Sequence, residues 1–177
     1  MSLNIVLLEP EIPQNTGNIA RTCAASGAAL HLIEPLGFSV DEKAVRRAGL
    51  DYWTKLSLFV YASLEDFFEQ NPAGPYFYCT TKAQQTYAEV EYPSGSYLIF
   101  GKESAGIPEK ILMEHPERAI RIPMKPEMRS LNLSNAVAIV AYEALKQHEF
   151  KGMETEGELH RHKWDEAVQP EGTEVKN

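Results

Sequence analysis

Residues 3–33, LNIVLLEPEIPQNTGNIARTCAASGAALHLI, hold a complete strand–helix–strand unit. Leu3–Leu8 is apolar at nearly every position, the pattern of a strand buried on both faces. The loop EPEIPQ follows. Asn15 or Thr16 can then cap a helix running to about Ser26, because either side chain can accept from a backbone N–H left free in a first helical turn. Gly27 suits the helix end, and Ala29–Ile33 reads as a second strand. This unit sets the class: α/β, a mostly parallel sheet flanked by helices.

The same alternation continues outward. Asp41 is placed to cap a short basic helix, EKAVRRAG, and Leu56–Tyr61 is a third strand. Ser63 and Asp66 fit a capping box that opens the helix LEDFFEQ. Tyr76–Thr80 and Tyr97–Phe100 are strands with little structure expected between them. Pro108–His115 is a short helix and Ala119–Ile122 a last strand. The final helix spans about Leu133 to His148. Val137, Val140, Ala141, Ala144 and Leu145 form one stripe, while Ala138, Ile139 and Tyr142 keep the other side apolar. A helix apolar on two sides is expected between two surfaces, its own sheet and a partner subunit. Residues 1–151 are read as one domain and residues 152–177 as a polar, mobile tail.

Composition narrows the function classes. No apolar run approaches the roughly 20 residues that cross a bilayer, and no leader pattern precedes Leu3, so a cytoplasmic protein without a membrane partner is expected. Cys23 and Cys79 are too few and too far apart for a zinc cage, and His160 and His162 lie in a polar tract, so no metal is expected. The net charge of −8 argues against a polyanionic partner. Half of it, however, sits in residues 149–177, which carry 4 basic and 8 acidic side chains. Arg21, Lys43, Arg46, Arg47, Lys55 and Lys82 leave the first half free to gather positive patches.

Three loops, each following a strand, carry the candidate chemistry. Asn15–Arg21 (NTGNIAR) resembles an anion loop at a helix start. Neither G-x-G-x-x-G nor G-x-x-x-x-G-K-[ST] occurs, which disfavours dinucleotide and P-loop readings. Phe100–Pro108 (FGKESAGIP) has two glycines five apart, allowing close backbone approach or positive φ, with Glu103 between them as an acceptor. Ile122–Asn135 (IPMKPEMRSLNLSN) ends in Ser130, Asn132, Ser134 and Asn135, more hydrogen-bonding groups than one helix cap uses. The surplus points to a ligand or a buried polar network.

In this order the three loops resemble the motifs of the SPOUT RNA methyltransferases, over roughly residues 3–150. LHLIEPLGF and RRAGLDY add to the likeness, which is strongest to the bacterial branch acting on the ribose 2′-hydroxyl of the tRNA wobble cytidine or uridine. The resemblance implies a C-terminal trefoil knot, a homodimer, tRNA as partner and S-adenosylmethionine as cofactor. It also implies a cofactor pocket from Cys79 and Thr80, Gly101 to Glu103, Ile122 and Met124, and Ser130 and Leu131. Cys79 stands where the family often has a bulkier aliphatic residue. The arginine matching Arg21 is the family's principal catalytic residue and lies near the partner's cofactor.

A guanidinium does not lose its proton in proteins. Arg21 is therefore expected to grip a phosphate and stabilise a developing alkoxide rather than act as base. Asn15, Lys43, Arg46, Arg47 and Asn132 are the candidate RNA contacts. Alternatives are an rRNA ribose methyltransferase, a non-catalytic RNA-binding protein of the same fold, and a flavodoxin-like oxidoreductase.

Overall fold

A computed structural model describes residues 2–39 and 55–164. Seven strands form one sheet in the order β3-β2-β1-β6-β4-β7-β5, and every pairing is parallel. They are β1 (Leu3–Leu8), β2 (Ala29–Ile33), β3 (Leu58–Tyr61), β4 (Tyr76–Cys79), β5 (Gln85–Thr86), β6 (Ser96–Phe100) and β7 (Ala119–Arg121). The helices are α1 (Pro13–Ser26), α2 (Leu64–Gln70), α3 (Glu109–Glu114) and α4 (Leu133–Gln147).

Alternate residues of the strands serve opposite faces. Ile5, Leu7, Leu30, Leu32, Leu98 and Phe100 pack with Ile19 and Cys23 of α1 and Val137, Val140 and Ala144 of α4. Val6, Leu8, Ile33, Tyr78 and Ile99 pack on the other face with Phe67 of α2. Because the side-chain period of a strand is two, β1 needs apolar residues at both parities. Burying each Leu, Ile or Val here stabilises the fold by about 1.5–3 kcal/mol relative to exposure.

Several expectations are corrected in detail. Helix α1 starts at Pro13, with Ile12 at the N-cap and no side-chain cap, so Asn15 and Thr16 lie buried within its first turns. Proline opens a helix well because its φ is already helical and its missing N–H would have been unpaired anyway. Gly27 ends the helix in the left-handed region at φ 75°, as expected. The Ser63 hydroxyl accepts from Asp66 N at 3.1 Å, but the Asp66 carboxylate reaches back to Ala62 N rather than to the cap itself. The segment between β4 and β6, expected to be irregular, contributes β5, which pairs with β7. The stripe of α4 is buried as expected, while Ile139 and Tyr142 on its other side are exposed. Residues 152–164 form only turns, bends and irregular chain. The basic helix expected after Asp41 lies outside the described residues.

Candidate active site

The strand order reverses direction between β1 and β6, and ligands of open parallel sheets favour the crevice beyond the strands' carboxyl ends at such a point. The loops leaving β1, β4, β6 and β7 line one cavity of about 630 Å³ there. All three loops singled out from the sequence reach it. Asn15 comes from the first; Gly101 and Glu103 from the second; Ile122, Met124, Ser130, Leu131 and Asn132 from the third. Cys79 and Thr80 enter from the end of β4. Ile120, Leu133 and Val140 give the cavity an apolar floor.

Reciprocal hydrogen bonds clasp the loop after β6 to the start of α1. The Glu103 carboxylate accepts from Glu11 N at 2.9 Å and Ile12 N at 3.3 Å, and from Asn15 Nδ2 at 2.9 Å. In return, Glu11 accepts from Ser104 N and Ser104 Oγ at 2.9 and 2.8 Å. Those bonds hold the Glu11 carboxyl below its ordinary value, the Ser104 hydroxyl contributing most. Lys102 joins Glu9 in an ion pair, and that hydrogen bond raises the Lys102 ammonium. Glu103 thus places its negative charge beside an uncapped helix start, where the helix dipole favours it.

Asn15 extends the clasp to the third loop. Its Oδ1 accepts from Asn132 Nδ2 at 2.9 Å. Asn132 is the N-cap of α4, its Oδ1 accepting from Ser134 N and Asn135 N and from Ser134 Oγ at 2.7 Å. Asn132 and Ser134, two of the four polar residues around the start of α4, thus join a network, and Glu103, Asn15 and Asn132 tie all three loops together.

The two glycines of the second loop do different work. A Cβ on Gly101 would lie 2.1 Å from the carbonyl carbon of Gly106 and 2.3 Å from Ile107 N, so the loop closes on itself only with glycine there. Gly106 has open space around it but sits at φ +70°, a left-handed conformation. Cys79 faces the cavity as a neutral thiol, burial holding its pKa well above the ordinary value. The buried Thr16 Oγ1 has no hydrogen-bond partner among the described residues.

Arg21 does not line this cavity. It lies on the exposed side of α1, opposite the stripe formed by Asn15, Ile19 and Cys23. Lys43, Arg46 and Arg47 lie outside the described residues. Two cations in the cavity wall, Lys82 and Arg129, were not among the candidate site residues. Neither stands in a pattern that separates it from ordinary surface lysines and arginines.

A parallel sheet with a loop-built cavity at its switch point, clasped by Glu103 and Asn132, defines a class. The chain belongs to the SpoU methylase family, whose description, SpoU rRNA Methylase family, matches residues 2–142. Among its relatives is the tRNA (cytidine(34)-2'-O)-methyltransferase of Escherichia coli (strain K12). The two are 50% identical over 151 residues, covering 85% of this chain and 96% of that one. A solved structure described as structural insights into the 2-OH methylation of C/U34 on tRNA superposes with a TM-score of 0.78. It is 44% identical and covers 84% of this chain and 97% of its own. The AdoMet-bound rRNA methyltransferase from Sinorhizobium meliloti superposes with a TM-score of 0.73 at 26% identity, covering 82% of this chain but 56% of its own.

Proposed function

We propose that this chain transfers a methyl group from S-adenosylmethionine to the ribose 2′-hydroxyl of the tRNA wobble nucleotide, a cytidine or a uridine. The observation that carries this reading is the convergence of the three family loops on one cavity beyond β1, β6, β4 and β7. The near-complete coverage of the tRNA relatives, against 56% of the longer rRNA enzyme, favours tRNA over rRNA.

The cavity suits the cofactor on its own terms. Its volume lies within the range of about 300–1,000 Å³ usual for such ligands. Its apolar floor can take an adenine ring. Among the described residues, the backbone N–H groups of Met124, Ser130 and Leu131 bond no protein group, which leaves donors for a ligand held by main-chain contacts. In this reading Cys79, Thr80, Gly101, Ile122, Met124, Ser130 and Leu131 hold the cofactor. Glu103 acts through the clasp, since three of its acceptor positions already serve Glu11, Ile12 and Asn15. Bound there, the cofactor supplies an electrophilic methyl group.

The protein's part is to align the ribose oxygen and stabilise the charge that develops on it. Arg21 does so from the partner subunit, gripping the adjacent phosphate through its planar fork. A homodimer follows, supported by the position of Arg21 away from its own cavity and by exposed Ile139 and Tyr142 on α4. Cytoplasmic residence follows from a tRNA substrate; no helix among the described residues is long and apolar enough to cross a membrane. The trefoil knot belongs to the same reading. It is supported by Gln147 and His148, which bond Val90 O and the backbone of Tyr92 in the segment ahead of β6.

Calorimetry with S-adenosylmethionine, followed by mass-spectrometric mapping of methylated tRNA, tests the proposal. Binding and a 2′-O-methyl group at position 34 are expected. No binding at millimolar cofactor, or methylation confined to rRNA, overturns it.

A further inference from the structure

The charge of the cavity wall is opposite to that of the chain. Its acidic lining residue is Glu103, and that carboxylate is consumed by the clasp with Glu11, Ile12 and Asn15. Its cationic residues are Lys82, Lys102 and Arg129. Lys102 is held by Glu9. Arg129 is exposed and makes no hydrogen bond or ion pair with any described residue. Lys82 pairs with Glu109 at 2.8 Å, with the two side chains 48% and 71% exposed. A pair that open to water is readily exchanged for another anion.

Arg129 and Lys82 also share a place in the fold. Lys82 leaves the carboxyl end of β4 and Arg129 lies in the loop from β7 to α4, and β4 and β7 are neighbours in the sheet. Arg129 immediately precedes Ser130, and both are exposed residues of the cavity wall. A guanidinium offers paired donors matched to two phosphate oxygens, and a flexible ammonium adds a point charge beside it.

We infer that Arg129, together with Lys82 drawn away from Glu109, is a phosphodiester-binding rim that positions the RNA backbone at the cavity mouth. The inference rests on the RNA methyltransferase reading and adds a second phosphate contact to the one assigned to Arg21. It explains how a chain of net charge −8 can take a polyanion: cationic groups gather at the mouth, and the one acidic side chain in the wall is already engaged. Glu109 is then a competitor that RNA must displace.

The test uses the full chain and an anticodon stem-loop RNA, with affinity measured by fluorescence anisotropy between about 50 and 300 mM NaCl. Arg129→Gln is expected to weaken binding several-fold and lower the slope of log affinity against log salt by about one. Arg129→Lys should restore the slope but not the full affinity. Glu109→Gln should strengthen RNA binding, most at low salt. S-adenosylmethionine affinity, measured by calorimetry, should stay within about twofold in each variant.

An unchanged salt slope in Arg129→Gln overturns the inference. So does a loss of cofactor affinity with RNA binding intact, which would make the cofactor's carboxylate the anion held. If the wild-type protein binds RNA with the expected slope but binds no S-adenosylmethionine, the methyltransferase reading fails and the phosphate rim stands.

Discussion

Asn15 Oδ1 accepts a hydrogen bond from Asn132 Nδ2 at 2.9 Å, joining the first turn of α1 to the cap of α4 across 117 positions of sequence. The other end of the same amide donates to Glu103. Asn15 therefore needs a donor and an acceptor on one short side chain, which neither aspartate nor leucine provides.

Asn15→Ala should lower stability by about 1–3 kcal/mol, because it strips a partner from both Glu103 and Asn132. Urea titration of Asn15→Ala, Asn132→Ala and the double variant should return a coupling energy of about 0.5–3 kcal/mol. Simple additivity would mean that the bond contributes nothing to joining the two helices.

The glycines of the loop after β6 should respond differently. Gly101→Ala forces Cβ into the Gly106 backbone, so the loop must open and S-adenosylmethionine affinity should fall at least tenfold. Gly106→Ala meets only the left-handed φ, a cost of about 1–2 kcal/mol. Calorimetry on both variants checks this; equal affinities would show that loop closure does not shape the cavity.

Arg21→Lys keeps the charge and loses the fork. Turnover should drop by one to two orders of magnitude, about 1.4–2.7 kcal/mol at the transition state, with S-adenosylmethionine affinity unchanged. Wild-type turnover in this variant would remove Arg21 from the proposed role.

His31 makes stability depend on pH. Its ring is buried on β2, with Nδ1 2.9 Å from Tyr61 OH and Nε2 3.2 Å from Asn4 Oδ1. The Asn4 amide nitrogen points toward the Gly95 and Ser96 carbonyls, so Oδ1 faces the ring. Nε2 therefore carries the proton and Nδ1 accepts from Tyr61. Burial lowers the pKa from 6.5 to about 4. The unfolded chain takes up this proton more readily than the folded one. The contribution is complete above about pH 6.5 and drains as pH falls toward 4, on the order of 3 kcal/mol in all. Urea midpoints measured from pH 7 to pH 4 should decline more steeply in wild type than in His31→Gln; parallel curves would contradict the assignment.

Cys79 should behave as an inert thiol. Cys79 is half-buried, and burial raises its thiol well above the ordinary value, which shrinks the fraction of thiolate, the reactive form. Iodoacetamide should label the folded protein at Cys79 far more slowly than the urea-unfolded chain, followed by peptide mass spectrometry. Equal rates would place the sulfur in water.

Much of this was legible in residue order because it depends on near neighbours. The apolar run Leu3–Leu8, the end of α1 at Gly27 and the stripe on α4 follow from periodicity and local backbone preference, and the structure places them as read. Asn15 misled as a cap because Pro13, two residues earlier, opened the helix instead. Two-residue β5 escaped notice because so short a strand has no period and exists through its pairing with β7.

The site divides the same way. Sequence by itself determined which loops carry polar and glycine residues, and their order gave the family likeness, since those are properties of short segments. Only the tertiary structure decided that Glu103 answers Glu11, Ile12 and Asn15, that Gly101 makes room for Gly106, and that Lys82 and Arg129 share one cavity wall. Such relationships depend on strand order, and the crossovers bring together residues as far apart as Asn15 and Asn132. No local pattern encodes that distance.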